Sequence, residues 1–382
     1  MIDYQEAPSL SRDQKHRNPS RSGSARPSVQ AHIRKGSYFL QARRFEEALK
    51  CFENAQDLDP DNAIASMGAN RALRTLIPRW HFAMLNDLGR NHAFAEALRE
   101  AVTPETFVLD IGSGSGLLAM LAARYGAAHV VSCEVVLPVA QLAAEIVTAN
   151  GLEGRVQIVP KLSFNLVSDR DIPRKADLIV TEIFDCSLLG EGIIPTVRHA
   201  RQHLLRDGGH MIPKAGRVFA TLVESEQVHK LNHVDTSCGL DVSLFNRFST
   251  LGYFPVRLNT WHHRLLAQPR EIFDFDFLHD ALLPQERDVD FVITHSGRCH
   301  GVVFWFELDL NERISISNDP HNTTTHWMQA VQCLAVPLDV AEGDVVYMTA
   351  GHNDTTIWFT PRPEYLFGLS TSKLPITEGC NV

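Results

Sequence analysis

Two short stretches hold most of the chemistry that this sequence can offer. The first is the turn Asp110-Ile-Gly-Ser-Gly-Ser-Gly116, which continues the apolar run 107–111 and opens onto a helical pattern at 117–125. Glycines at 112, 114 and 116 allow a tight turn and let a ligand lie against the backbone at a helix N-terminus. The next apolar run, 129–134, ends in Glu134, where a carboxylate can accept hydrogen bonds from ribose hydroxyls. Strand, glycine turn, helix and acid in that order point to a cofactor containing a nucleoside. Alone they leave a nicotinamide cofactor and S-adenosylmethionine both open. GxGxG departs from the GxGxxG of dinucleotide binders, which tilts the choice toward a cofactor without a pyrophosphate.

The second stretch begins at Thr181-Glu182, where another strand-like run ends, and continues as Ile-Phe-Asp-Cys-Ser-Leu-Leu-Gly before Glu191. Ligands of an open α/β sheet bind at this carboxyl edge. Two carboxylates bracketing an apolar loop there suit a cation with several donors. A guanidinium is such a cation, with five N–H groups in a planar fork that carboxylates can bind in bidentate fashion. The pairs His199/His203 and His229/His233 each stand one helical turn apart, but no acid or cysteine at suitable spacing joins them, so no metal is expected.

These residues need a scaffold, and the texture of the chain supplies one. Buried-strand and helix patterns alternate from 93 to 182, which predicts a parallel, doubly wound sheet. After Pro213 the pattern becomes short β-rich runs at 289–294, 301–308, 327–334, 345–348 and 356–359, separated by turn residues, which predicts an antiparallel barrel or sandwich. The stretch 224–247 reads as a protruding, helical arm. Residues 1–28, rich in Ser, Pro and basic side chains, read as a flexible tail. Within 29–77, Gly36, Phe39, Ala48, Phe52, Ala55 and Pro60 match the spacing of a ~34-residue tetratricopeptide (TPR) unit. A single such unit must pack on the helix at 63–76, on the next domain or on a partner. The expected division is therefore 1–28 tail, 29–77 TPR-like segment, 78–212 cofactor domain, and 213–382 barrel with an arm near 224–247.

Composition bounds the function. The 382 residues are 44% hydrophobic and 21% charged, which excludes disorder as the dominant state. Thirty-six Lys plus Arg against 45 Asp plus Glu give a formal charge of −9, so no basic field recommends direct nucleic-acid binding, and cationic partners are favoured. Seven cysteines, odd in number and without CxxC spacing, argue for a reducing compartment. The longest strongly apolar stretch, 117–123, falls far short of the ~20 residues of a membrane span, and the N-terminus lacks a signal core. A cytoplasmic protein is expected, with the nucleus open to a eukaryotic one.

Taken together, the motifs resemble the protein arginine methyltransferase family. The resemblance rests on Arg79-Trp-His-Phe-Ala-Met-Leu-Asn-Asp-Leu-Gly-Arg90 read as a helix, the VLDIGSGSG turn, Glu134, the loop from Glu182 to Glu191, and Thr325-His326-Trp327, in family order between about 78 and 370. The form of the first segment and of GEGIIP is similar to the tandem-module branch, one member of which also carries TPRs, although only one catalytic module is present here. The resemblance implies a Rossmann-like class I methyltransferase domain followed by a β-barrel. It also implies S-adenosylmethionine as cofactor, arginine-containing proteins as substrates, and a homodimer formed through an arm. It assigns Glu182 and Glu191 to the guanidinium, and His326, paired with Asp87, to catalysis or to stapling the N-terminal helix. His81, Arg90, Asp110, Gly112, Gly114, Gly116, Glu134, Leu162 and Ser163 fall at the cofactor, with Arg90 on its methionine carboxylate. Met84, Ile193 and Trp327 fall at the acceptor pocket, and no metal is implied.

An arginine with a pKa above ~12 stays protonated, so two carboxylates can hold its plane and leave one terminal nitrogen more nucleophilic. Positioning of this kind can supply ~7–11 kcal/mol of the reduction in a reaction barrier. The expected activity is methyl transfer to the guanidino nitrogen of protein arginines, with a monomethyl or symmetric product favoured by the branch resemblance. Two rivals remain at this stage: a nicotinamide dehydrogenase, and a catalytically silent TPR-linked scaffold that binds cofactor.

Overall fold

The computed structural model describes residues 28–362, in two compact units that meet in sequence at Leu76/Ile77. The expected tail lies outside the described residues except for Ser28, which caps the first helix by accepting from Ala31 N. The first unit is three helices, α1 Val29–Gln41, α2 Phe45–Leu58 and α3 Ala63–Leu76. Phe52 fills its centre. A Cβ built on Gly36 would stand 2.8 Å from the Phe52 ring, and one on Gly68 2.3 Å from it. Only glycine lets the flanking helices close over that ring, with Ala48, Ala55, Ala65, Ala69 and Ala72 filling the rest of the core. Of the three surfaces open to α1 and α2, they pack on α3.

The second unit opens with α4 Trp80–Leu85 and α5 Leu88–Ala101. The helix expected over 79–90 is thus broken. Asp87 leaves the helical region at ψ 89° and accepts from Arg90 N at 2.9 Å, so its short carboxylate ends one helix and caps the next. Beyond α5 come β1 Phe107–Ile111, α6 Leu117–Arg124, β2 His129–Cys133, α7 Leu137–Ala149, β3 Val156–Val159, β4 Ala176–Thr181, α8 Ile193–His203 and β5 Leu205–Ile212. The five strands pair in parallel in the order β3-β2-β1-β4-β5. Strand order reverses between β1 and β4, and the carboxyl ends of those two strands therefore border the crevice where such sheets bind ligands.

An antiparallel part follows. Strand β6 Ala215–Glu224 pairs with Gly297–Asp309, which pairs with Gln329–Val340, while Gln285–Val292, Val345–His352 and Ile357–Pro361 form a second sheet. One apolar core runs from Phe94 and Leu98 of α5 through the parallel sheet to Phe304, Phe306 and Phe359. The arm differs from its expectation. Among residues 224–247 the helical part is one turn, Glu226–His229, followed by a minimal hairpin of Thr236–Ser237 with Leu240–Asp241 and a 3-10 stretch, Ser243–Phe248. Left-handed Cys238 and Gly239 form the hairpin turn that interrupts any helix. Leu240, Leu244, Phe245, Phe248 and Leu251 are 69–89% exposed on this arm.

Candidate active site

Three segments converge on the crevice between β1 and β4. The glycine turn is the first. Gly112 N and Ser113 N donate to Cys133 O, folding the turn against the end of β2, and Gly112, Gly114 and Gly116 all have positive φ. Glu134 lies across the turn: its Oε2 accepts from Gly114 N at 3.1 Å and its Oε1 from Val136 N at 2.9 Å. Each oxygen keeps a lone pair for a further donor. Asp110, wholly buried, accepts from Ser132 Oγ at 2.7 Å through Oδ2, while its Oδ1 has no partner among the described residues. Burial pushes this carboxyl up to about 7 even though the Ser132 hydroxyl opposes the shift. On the far side, Leu162 is partly exposed and Ser163 buried at the short turn after β3. A lip of positive-φ glycines, a carboxylate with spare acceptors and an orphaned buried oxygen fit a nucleoside-bearing cofactor.

The second segment is the break between α4 and α5. His81 stacks on Trp80 at 3.8 Å between ring centres and bonds through Nδ1 to Pro78 O, and Met84 is buried. Asp87 gathers donors: besides Arg90 N, its Oδ2 accepts from His326 N at 2.8 Å and faces His326 Nδ1 at 3.0 Å. Burial works to raise Asp87, but the bonds from Arg90 and His326 together hold it below the ordinary carboxylate value. Burial lowers His326, with the hydrogen bond and charge of Asp87 opposing. Arg257 donates to both Thr325 O and His326 O, fixing that loop from the barrel side.

Arg90 also reaches the first of the two glutamates. Its Nη2 donates to Glu182 Oε2 at 2.7 Å, with both side chains buried, and Nη1 donates to Asn91 Oδ1. The resemblance implies Arg90 at the cofactor and Glu182 at the substrate, and this contact joins the two residues: a buried carboxylate and a buried guanidinium offset part of each other's desolvation cost by pairing.

The third segment is the loop between the glutamates. Thr181 Oγ1 donates to Ile111 O, tying the end of β4 to that of β1, and Glu182 follows at once. Burial raises Glu182 and Arg90 opposes it. Glu191 is exposed as a residue, yet burial of its carboxyl, followed by the charges of Glu182 and Asp185, pushes it up to about 7. Neither Glu182 Oε1 nor Glu191 accepts a hydrogen bond among the described residues. Trp327 and Ile193, both expected at the acceptor pocket, sit beneath the loop: Trp327 is buried with Nε1 on Phe184 O at 3.0 Å, and Ile193 is fully enclosed in the core. Asn318 and Tyr253, which no motif singles out, also bond the loop, through Cys186 O and Asp185 respectively. Their signal is absent from the sequence because each acts across a long chain separation.

Comparison with known proteins decides the family. Residues 214–361 match the model described as arginine methyltransferase oligomerization subdomain, and residues 93–213 that of ribosomal protein L11 methyltransferase (PrmA). An arginine N(omega)-methyltransferase of Streptomyces achromogenes subsp. streptozoticus is 45% identical over 284 residues, covering 74% of this chain and 79% of that protein. The chain belongs to the arginine methyltransferase family. Protein arginine N-methyltransferase 7 of Drosophila ananassae is 30% identical over 326 residues, 74% of this chain and 47% of that protein, so the chain spans about half the length of this longer relative. Among solved arginine methyltransferases, the Trypanosoma brucei PRMT1 enzyme-prozyme heterotetrameric complex with AdoHcy aligns at a TM-score of 0.63 with 25% identity, over 71% of this chain and 86% of that one. Arabidopsis thaliana protein arginine methyltransferase 10, at 0.58 and 21%, shares the fold over 73% of this chain and 96% of that one. Membership in an arginine methyltransferase family sets aside the dehydrogenase and the silent scaffold.

Proposed function

We propose that this chain transfers a methyl group from S-adenosylmethionine to a terminal guanidino nitrogen of arginine residues in proteins. The observation that carries the reading is the carboxylate pair at the edge of β4. Glu182 already binds one guanidinium, that of Arg90, through Oε2 and leaves Oε1 without a donor among the described residues, while Glu191 likewise accepts no hydrogen bond among them and is pushed up by burial and then by its acidic neighbours. An incoming guanidinium relieves that repulsion and supplies donors to both. Glu134 and the glycine turn would hold the cofactor, which when bound supplies an activated sulfonium methyl.

The chain's own contribution is then orientation and electrostatics. Glu182 and Glu191 fix the guanidinium plane, draw its positive charge toward the bound nitrogens and leave the remaining terminal nitrogen to react. Asp87 bonds Arg90 N and His326 at once, which supports the pair as a staple between α5 and the Thr325–Trp327 loop rather than as a proton relay. Four further points belong to the same reading: α1 and α2 form a TPR-like unit that offers a surface to a protein partner; the product is monomethyl or symmetric dimethylarginine, as in the tandem-module branch; the exposed arm forms a homodimer; and the protein works in the cytoplasm.

A second reading concerns the acceptor. The Streptomyces relative is named for arginine and not for protein arginine, which favours free arginine as a substrate of the same site. Incubation with S-adenosylmethionine and either an arginine-rich peptide or free arginine, followed by mass spectrometry, separates the two: a methylated peptide supports the first reading, and methylated arginine with an untouched peptide supports the second.

A further inference from the structure

The two-glutamate loop is gripped by side chains of the antiparallel part. Asp185, midway along it, spends its carboxylate internally: Oδ1 accepts from Ser187 N at 3.0 Å, Ser187 Oγ at 2.8 Å and Gly190 N at 2.8 Å, and Oδ2 accepts from Tyr253 OH at 2.8 Å. Tyr253 OH also stands 2.8 Å from Ser187 Oγ. Each hydroxyl has one proton, so with Tyr253 donating to Asp185, the Ser187 proton serves one of the other two contacts at a time. A Cβ on Gly190 would lie 2.3 Å from Asp185 Oδ2, so only glycine admits the carboxylate here. Burial and the Asp185 charge raise the Tyr253 hydroxyl, which keeps it a donor at working pH.

Tyr253 belongs to the barrel part, just ahead of the strand Phe254–Val256, with its ring edge-on to Phe304 at 5.3 Å. Trp327 on Phe184 O and Asn318 on Cys186 O complete the grip, so three successive loop residues, 184–186, are each held by a barrel side chain. The Glu191 carboxylate accepts no hydrogen bond among the described residues. Its place follows from the backbone of Gly190, and Gly190 N is held by Asp185.

We propose that Tyr253 and Asp185 are positioning residues that set Glu191 for the acceptor guanidinium, acting through Gly190. The proposal rests on the reading of Glu191 as a guanidinium ligand. Misplacement of a reacting group by ~1 Å costs ~10²-fold in rate, so loosening this anchor should register in kcat.

Tyr253→Phe keeps the ring on Phe304 and removes only the hydroxyl. Steady-state kinetics on an arginine substrate should show kcat lowered at least ~10-fold, with the KM for S-adenosylmethionine and the affinity for S-adenosylhomocysteine within about twofold of wild type. Asp185→Asn, which retains an acceptor for Ser187 N and Gly190 N, should keep more activity than Asp185→Ala. Combining Tyr253→Phe with Glu191→Asp should cost little beyond Glu191→Asp alone, since both act on one carboxylate. A wild-type kcat in Tyr253→Phe, or multiplicative losses in the double variant, overturns the proposal. If Tyr253→Phe fails to fold, Gly190→Ala at its exposed site decides by the same cycle with Glu191→Asp. A wild-type enzyme that methylates no arginine would instead remove the functional reading beneath it.

Discussion

Arg90 and Glu182, 92 residues apart in sequence, meet at 2.7 Å with their side chains all but removed from solvent. On the proposed reading, one carboxylate thereby links the wall beside the cofactor turn to the acceptor pocket. Glu182 therefore has two duties and Glu191 one.

Replacement of Arg90 tests the first duty. Arg90→Ala leaves Glu182 buried without a counter-charge, and breaking such pairs costs ~3–5 kcal/mol. A large fall in melting temperature is expected, and Glu182→Gln should weaken S-adenosylhomocysteine binding through the loosened Arg90 in calorimetric titration. Unchanged stability in Arg90→Ala would show that the pair carries no weight.

Activity should rise with pH through neutrality. Glu191 titrates near 7, and its protonated form is a poorer ligand for a guanidinium, so kcat/KM is expected to climb through that pH and to lose the ascending limb in Glu191→Gln. The stability effect has the opposite sign. A carboxyl raised from 4.5 to about 7 favours the fold below 4.5 and loses that contribution as pH rises through 7. Glu191→Gln should therefore melt higher than wild type at pH 8 and match it at pH 4.

Asp87 is expected to matter to folding before it matters to chemistry. Asp87→Ala removes a helix cap and strands the buried His326 ring, a loss of ~1–3 kcal/mol by thermal melting. Asp87→Asn, which keeps an acceptor for Arg90 N, should recover most of it. Equal melting temperatures for wild type and Asp87→Ala would contradict the stapling role.

The parallel sheet and the glycine turn were legible in the sequence because each depends on neighbours in the chain: β1 coincides with the apolar run 107–111, β2 ends one residue short of the run 129–134, and Gly112 to Gly116 announce a turn by residue type alone. The arm was misread because the apolar residues from Leu231 to Phe245 mimic a helical stripe, while Cys238 and Gly239 impose a turn that residue spacing does not reveal. The continuous helix over 79–90 failed for a related reason, since Asp87 suits a cap as well as a helix interior and only its contact with His326 decides. Tyr253, Asn318 and Arg257 were invisible because their roles arise from hydrogen bonds that the fold creates between distant segments.

The arm's exposed apolar side chains require cover, which a second copy would supply. Deleting 231–245 should convert a dimer into a monomer of lower activity, by light scattering and methyl transfer. A wild-type monomer that is fully active at ~10 μM, where interfaces of ordinary affinity are populated, would contradict this.

The claim that a pair of carboxylates grips a guanidinium is met most directly by measuring two quantities on one variant, Glu191→Gln: methyl transfer to an arginine substrate and calorimetric affinity for S-adenosylhomocysteine. The expected result is a loss of ~10²-fold or more in kcat/KM, the scale of one lost charge-assisted contact at a reacting centre, with cofactor affinity within about twofold of wild type. Full methyl transfer by Glu191→Gln, or a parallel loss of both quantities, would contradict it.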